Sequence, residues 1–89
     1  MKLTVDISLY PLNSDYIPII KEFIAELNKE NQLTIVTNAL STQVTGDYDL
    51  LMNTLHTEMK RSHNKHGKAV FVCKFLHGEL PIDRAPDLD

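Results

Sequence analysis

Cysteine is almost missing from this chain. The single residue of that type, Cys73, excludes an internal disulfide, a Cys-x-x-Cys redox pair and a structural zinc cluster. Arginine is nearly as scarce, with Arg61 and Arg84 the only two, and no glycine falls between Tyr10 and Tyr16. The segment after the first strand candidate therefore lacks both common ways of cradling a phosphate, an arginine clamp or a glycine-rich loop. Basic charge is short overall: nine Lys+Arg against twelve Asp+Glu leave a net charge of −3. That balance argues against a nucleic-acid partner, which needs a basic face, and is compatible with a cationic ligand. No apolar run approaches the roughly 18 residues of a membrane span, so no membrane insertion is expected. The first residues, Met1 to Asp6, alternate instead of forming the apolar centre of a signal peptide, and a cytoplasmic location is expected. What is present is 89 residues, 43% hydrophobic and 24% charged, an ordinary balance for one globular domain. A chain of this length builds only a modest core, which makes oligomerisation plausible.

Periodicity supplies the elements. Leu3, Val5, Ile7 and Leu9 alternate with Thr4, Asp6, Ser8 and Tyr10, the pattern of a half-buried strand ended by Pro11. Asn13 or Ser14 is placed to cap a helix from about Asp15 to Glu30, with Pro18 in its first turn and an apolar stripe of Ile17, Ile20, Phe23, Ile24 and Leu27. Leu33 to Asn38 and Ala39 to Thr45 read as a second and third strand, the latter with Leu40, Thr42 and Val44 inward and Ser41 and Gln43 outward. Gly46-Asp47 is expected to break that strand, with Asp47 capping a second helix that buries Leu51, Leu55 and Met59, has Tyr48 and Met52 beside that stripe, and stops at Gly67. Lys68 to Leu76 completes the set, with Ala69, Phe71, Cys73 and Phe75 inward. Residues 1–78 thus form the domain and 79–89, with Pro81, Pro86 and several acidic residues, a flexible acidic tail.

The order βαββαβ predicts an α+β, ferredoxin-like sandwich: a four-stranded antiparallel sheet of order 4-1-3-2 with both helices on one face. Strand parity then sends Thr4, Asp6, Ser8, Tyr10, Ser41 and Gln43 to the opposite, open face, with Asn38 at the hairpin nearby and Val70 and Val72 beside them. Three readings of this polar face stay open: a solvated sheet surface, a dimer interface, or a small-molecule site combining convergent polar groups with an apolar lining.

Sharper chemistries fail. RNA recognition on this fold wants aromatic side chains on the central strands, where Ser41 and Gln43 stand instead. His63 and His66 lie three apart among Lys60, Arg61, Lys65 and Lys68, which suits exposed cations at a helix C-terminus better than a metal pair. His56 and His77 have no recognisable partner, Cys73 alternates with phenylalanines as a buried inert thiol would, and Met52 and Met59 read as core filler. No nucleophile–base pair can be identified, so no catalytic residue and no metal ligand is assigned.

Four stretches nevertheless carry a family resemblance: Ile7-Ser8-Leu9-Tyr10-Pro11-Leu12, Thr37-Asn38-Ala39-Leu40-Ser41-Thr42-Gln43-Val44, Gly46-Asp47-Tyr48-Asp49 and Lys65-His66-Gly67-Lys68-Ala69-Val70-Phe71-Val72. The chain resembles the YkoF-like family over about residues 2–78. That resemblance implies a ferredoxin-like, non-enzymatic protein that binds thiamine or its hydroxymethylpyrimidine half as a ligand, with no further cofactor. It also implies that the pyrimidine lies on the open face against polar side chains at positions matching Ser8, Tyr10, Asn38, Ser41 and Gln43. An aminopyrimidine complements such groups, Asp6 is suited to receive the amine or offset a thiazolium charge, and Tyr10 is suited to stack on the ring. The family's namesake carries two such domains in one chain, so a homodimer or homotetramer is expected to supply the second half here. The alternatives are an oligomerisation module using the polar face as its interface, and a small enzyme acting on a heterocycle with Asp6 or a histidine as base.

Overall fold

The computed structural model describes residues 1–88. Its elements are β1 (Lys2–Pro11), α1 (Tyr16–Leu27), β2 (Thr34–Thr37), β3 (Thr42–Asp47), α2 (Tyr48–His66) and β4 (Ala69–His77). The sheet is antiparallel throughout, in the order β2-β3-β1-β4, and the two helices cover one face: the ferredoxin-like sandwich that the element order predicts.

β1 is the spine of the core. Leu3, Val5, Ile7 and Leu9 all point into the helix layer and are buried, as is Val44 of β3. They meet Ile19, Phe23 and Leu27 from α1, Leu51 and Leu55 from α2, and Leu33 from the loop before β2. Full burial of such a side chain contributes roughly 1.5–3 kcal/mol, so this one cluster accounts for most of the drive to fold. Phe23 rests tilted against Phe71 of β4 at 5.1 Å between ring centres. Across the outer surface of the helix layer, Glu22 of α1 pairs with Lys65 and His66 of α2, and Glu26 pairs with Arg61 as well as with Lys29 on its own helix.

Several local expectations need correction. The buried line of α1 is Ile19–Phe23–Leu27, at strict i, i+4 spacing; Ile20 and Ile24 flank it and Ile17 is exposed at the helix's open end. The N-cap is Asp15, whose side chain caps nothing; Asn13 instead accepts the Asp15 N–H at 2.8 Å, and at the other end Asn28, the C-cap, donates its side-chain amide to the Ile24 carbonyl at 2.8 Å. β3 begins at Thr42, since residues 38–41 are drawn into a turn, leaving Leu40 exposed at its tip. Gly46 does not break β3 but pairs with Leu3 inside it; a Cβ there would stand 2.5 Å from Leu33 Cδ2, so any larger residue would have to push the buried leucine aside. Asp47 does cap α2, accepting the Leu50 N–H at 3.1 Å, and Gly67 does end it, at φ 85°. Met52 is exposed and Cys73 only half-buried, while Phe75 is 54% exposed: β4 is an edge strand, and only its Ala69, Phe71 and Cys73 pack on the core.

One end of the open face is covered. Thr4 and Thr45 are buried there, with their hydroxyls 2.9 Å apart. Thr4 donates to the Gly78 carbonyl at 2.8 Å, and its oxygen accepts the Leu80 N–H at 3.1 Å. The first residues after β4 therefore lie across the Lys2–Thr4 end of β1.

Candidate ligand-binding site

The site follows from a mismatch in strand length. β1 pairs with β4 along its whole length, out to Pro11↔Ala69, but with β3 only as far as Ile7↔Thr42. Beyond that rung the β2–β3 hairpin turns away, and the turn has a clear local cause. Asn38 Oδ1 accepts the N–H groups of Leu40 and Ser41 at 2.9 and 3.1 Å, while the Asn38 N–H donates to the Ser41 carbonyl at 3.0 Å. An asparagine that supplies both acceptor and donor to its own turn closes it more firmly than the backbone alone.

The gap so created is a cavity of about 420 Å³, within the roughly 300–1,000 Å³ usual for small-molecule sites. Its floor on the helix side is apolar, from Ile7, Leu9, Ile20, Phe23 and Ile24; Tyr16 closes the α1 end. Ser8, Tyr10, Thr37, Asn38, Ser41 and Thr42 are the polar residues of its lining. Of the six site residues expected from the sequence, Ser8, Tyr10, Asn38 and Ser41 line this cavity. It lies, however, between the end of β1, the hairpin and α1 and reaches the helix side of the sheet, whereas strand parity alone pointed to the open face. Asp6 and Gln43 stand one rung deeper in the sheet, outside the lining.

Those two are nevertheless wired to it. Ser41 donates its hydroxyl to Asp6 Oδ1 at 2.6 Å, and Gln43 donates its amide to the same oxygen at 3.0 Å and to Ser41 Oγ at 2.7 Å. The hydrogen bonds from Gln43 and then Ser41 hold the Asp6 carboxyl below the usual carboxylate range; burial opposes them, and the Lys74 charge directly across the ladder adds to them. Asp6 is thus a fixed negative charge. Because the Ser41 proton is committed to it, Ser41 has a lone pair and not a proton left for a further partner. Asn38 is complementary: its oxygen is spent on the turn, leaving its amide nitrogen as a donor.

Elsewhere the chemistry is structural. His66 is occupied by Glu22 and the ring of His63 lies edge-on to Phe71, 5.2 Å between centres. Burial, then the Asp6 charge, pushes the Cys73 thiol up, away from the reactive thiolate. Among the described residues no group of three or more His, Cys, Asp or Glu converges on a point, and no helix is long and apolar enough to cross a membrane. Sequence reasoning missed Tyr16, Ile20, Phe23 and Ile24 as lining. Their signal was present in the width of the α1 stripe, which exceeds what one buried line at i, i+4 requires.

No curated protein sequence matches the chain significantly. Solved structures do. A Streptococcus pneumoniae protein shares 26% identity and superposes with a TM-score of 0.82 over 93% of this chain and 94% of its own. A Thermotoga maritima protein, provisionally assigned to thiamine biosynthesis or salvage, has 16% identity and a TM-score of 0.81, covering 93% and 92%. A Methanocaldococcus jannaschii protein has 21% identity and a TM-score of 0.75, covering 98% and 88%. The latter two likenesses are of fold. The sequence itself matches the YKOF-related family over residues 2–77, nearly the whole sandwich and all of the cavity wall, and the chain belongs to that family.

Proposed function

We propose that this protein is a non-enzymatic binder of thiamine or its hydroxymethylpyrimidine half, serving thiamine salvage, transport or sensing as a homo-oligomer. The observation that carries the proposal is the cavity beside Ser8–Pro11, whose lining sets an apolar floor beside Tyr10, Asn38 with its oxygen spent on the turn, and Ser41 with its proton held by Asp6. An aminopyrimidine offers ring-nitrogen acceptors and an amine donor to match. The ionised Asp6 one rung away favours the cationic thiazolium. Family membership supports a thiamine-related role, as does the provisional assignment of the Thermotoga relative. With about 18 non-hydrogen atoms at roughly 0.3–0.45 kcal/mol each, thiamine would bind with a Kd of about 10⁻⁴ to 10⁻⁶ M, apt for a carrier or sensor.

Isothermal titration with thiamine and, separately, with hydroxymethylpyrimidine tests the reading. Saturable binding in that range is expected, weakened about tenfold or more when Ser8→Ala and Asn38→Ala are combined; heat indistinguishable from dilution for both ligands would sink it. The homo-oligomer rests on Tyr10, Val70 and Val72, which form an exposed apolar row across β1 and β4. Sedimentation should show a dimer or tetramer, and Val72→Lys should shift it toward monomer. A wild-type chain that sediments as a monomer at tens of micromolar would remove the oligomer from the proposal.

A further inference from the structure

The phase of the ladder exposes a backbone feature inside the cavity. Leu12 N–H bonds to the Lys68 carbonyl and Gly78 N–H to the Lys2 carbonyl, so even-numbered residues of β1 direct their N–H and C=O groups to β4. Tyr48 N–H bonds to the Met1 carbonyl, so odd-numbered residues direct theirs to β3. In an antiparallel pair each residue alternates in this way, turning both of its groups to the same neighbour. Leu3, Val5 and Ile7 find Gly46, Val44 and Thr42 opposite. Leu9 is the next odd residue, and the strand that would face it has already turned away into the cavity's far wall. The following odd position is Pro11, which has no N–H. Along this edge the N–H of Leu9 is therefore the one donor, with its own carbonyl beside it.

Paired backbone groups bordering an apolar space are costly to leave without partners, and native folds fill such positions with protein, water or ligand. We infer that Leu9 is the recognition edge of the site: its N–H donates to a ring nitrogen and its C=O accepts from the adjacent exocyclic amine of a planar heterocycle lying in the plane of the sheet. The heterocycle takes the place of the missing rung of β3, since an amine next to a ring nitrogen repeats the donor–acceptor pair that an opposing strand residue presents. The gap suits one ring and not a peptide strand, because the Asn38 turn closes it on one side and Tyr16 and Ile20 on another. The class specified is an aminopyrimidine-like ring; a pyrimidine without the amine lacks half of the pair. This inference rests on the proposed ligand and adds to it the atoms that select it.

Amide exchange followed by NMR on the full-length protein tests it, with hydroxymethylpyrimidine as the probe. In the free protein the Leu9 amide should exchange at least about a hundredfold faster than those of Val5 and Ile7, which sit in the closed ladder. Saturating probe should slow Leu9 exchange about tenfold or more and shift its amide resonance, and the analogue lacking the 4-amino group should bind about tenfold more weakly or worse. Leu9 protected in the free protein to the level of Ile7 would overturn the inference. So would probe binding that leaves Leu9 exchange and shift unchanged, and that result would leave the proposed ligand standing. Failure of the probe to bind at all would overturn both together.

Discussion

At the scale of single residues, Asp6 governs the electrostatics of the site. Its folded-state pKa lies below the ordinary value because Gln43 and Ser41 donate to the ionised form. A group whose folded pKa is depressed contributes stability above its unfolded pKa and loses it as the pH falls through the folded value. The Asp6 contribution is therefore whole at neutral pH and fades below about pH 4. Carboxyl NMR titration should place Asp6 beneath an ordinary aspartate, and Gln43→Leu, which removes the larger cause, should move it upward. The same variant should weaken a cationic ligand more than a neutral pyrimidine as the pH approaches the raised value. An unchanged Asp6 titration in Gln43→Leu would show that the network does not exist in solution.

At the scale of elements, two glycines decide where structure continues and where it stops, for different reasons. At Gly46 the backbone is ordinary and the constraint is space: a Cβ would meet Leu33, which is buried beneath β3. At Gly67 nothing stands within 4 Å and the constraint is the backbone, held at φ 85° as α2 turns into β4. Gly46→Ala should cost about 1–3 kcal/mol by overpacking, and Gly67→Ala a similar 1–3 kcal/mol by strain. Either lowers Tm by roughly 4–8 °C per kcal/mol in a domain of this size. The two are separable by a compensating change: Leu33→Ala should rescue part of the Gly46→Ala loss in a double-mutant cycle and none of the Gly67→Ala loss. Thermal melts of the three single and two double variants check this, and equal coupling to both glycines would contradict the steric account.

For the molecule as a whole, the two ends of β1 have separate duties. The Lys2–Thr4 end is covered by the residues after β4, while the Ser8–Pro11 end borders the cavity. A chain ending at Gly78 loses the Leu80 bond to Thr4 and uncovers the buried Thr4–Thr45 pair. It should be less stable by about 0.5–1.5 kcal/mol yet bind the same ligand with unchanged affinity, since none of residues 79–88 lines the cavity. Chemical denaturation and titration of the truncated chain check both halves. A loss of affinity without a loss of stability would mean that the segment reaches the site.

What the linear pattern settled and what it left open divide along the range of the forces involved. Alternation in β1 and the αβ order are local regularities, and with the handedness of crossovers they suffice for the sheet order and for which side chains leave by the open face. That parity brought Asp6, Ser41 and Gln43 together from distant parts of the chain, and their hydrogen bonds follow from it. Asn38, by contrast, reads from the sequence as the last residue of the second strand, at a hairpin with no strong turn signal; only the folded hairpin shows its oxygen spent on the turn. The exposure of Phe75 and Met52 likewise depended on how far the helix layer extends over an edge, which no periodicity encodes. The cavity is the clearest case. It exists because β3 stops one rung short of Leu9 while α1 leans its second apolar line over the gap. An unpaired rung is a property of two strands and a helix at once, and becomes visible only when all three are in place.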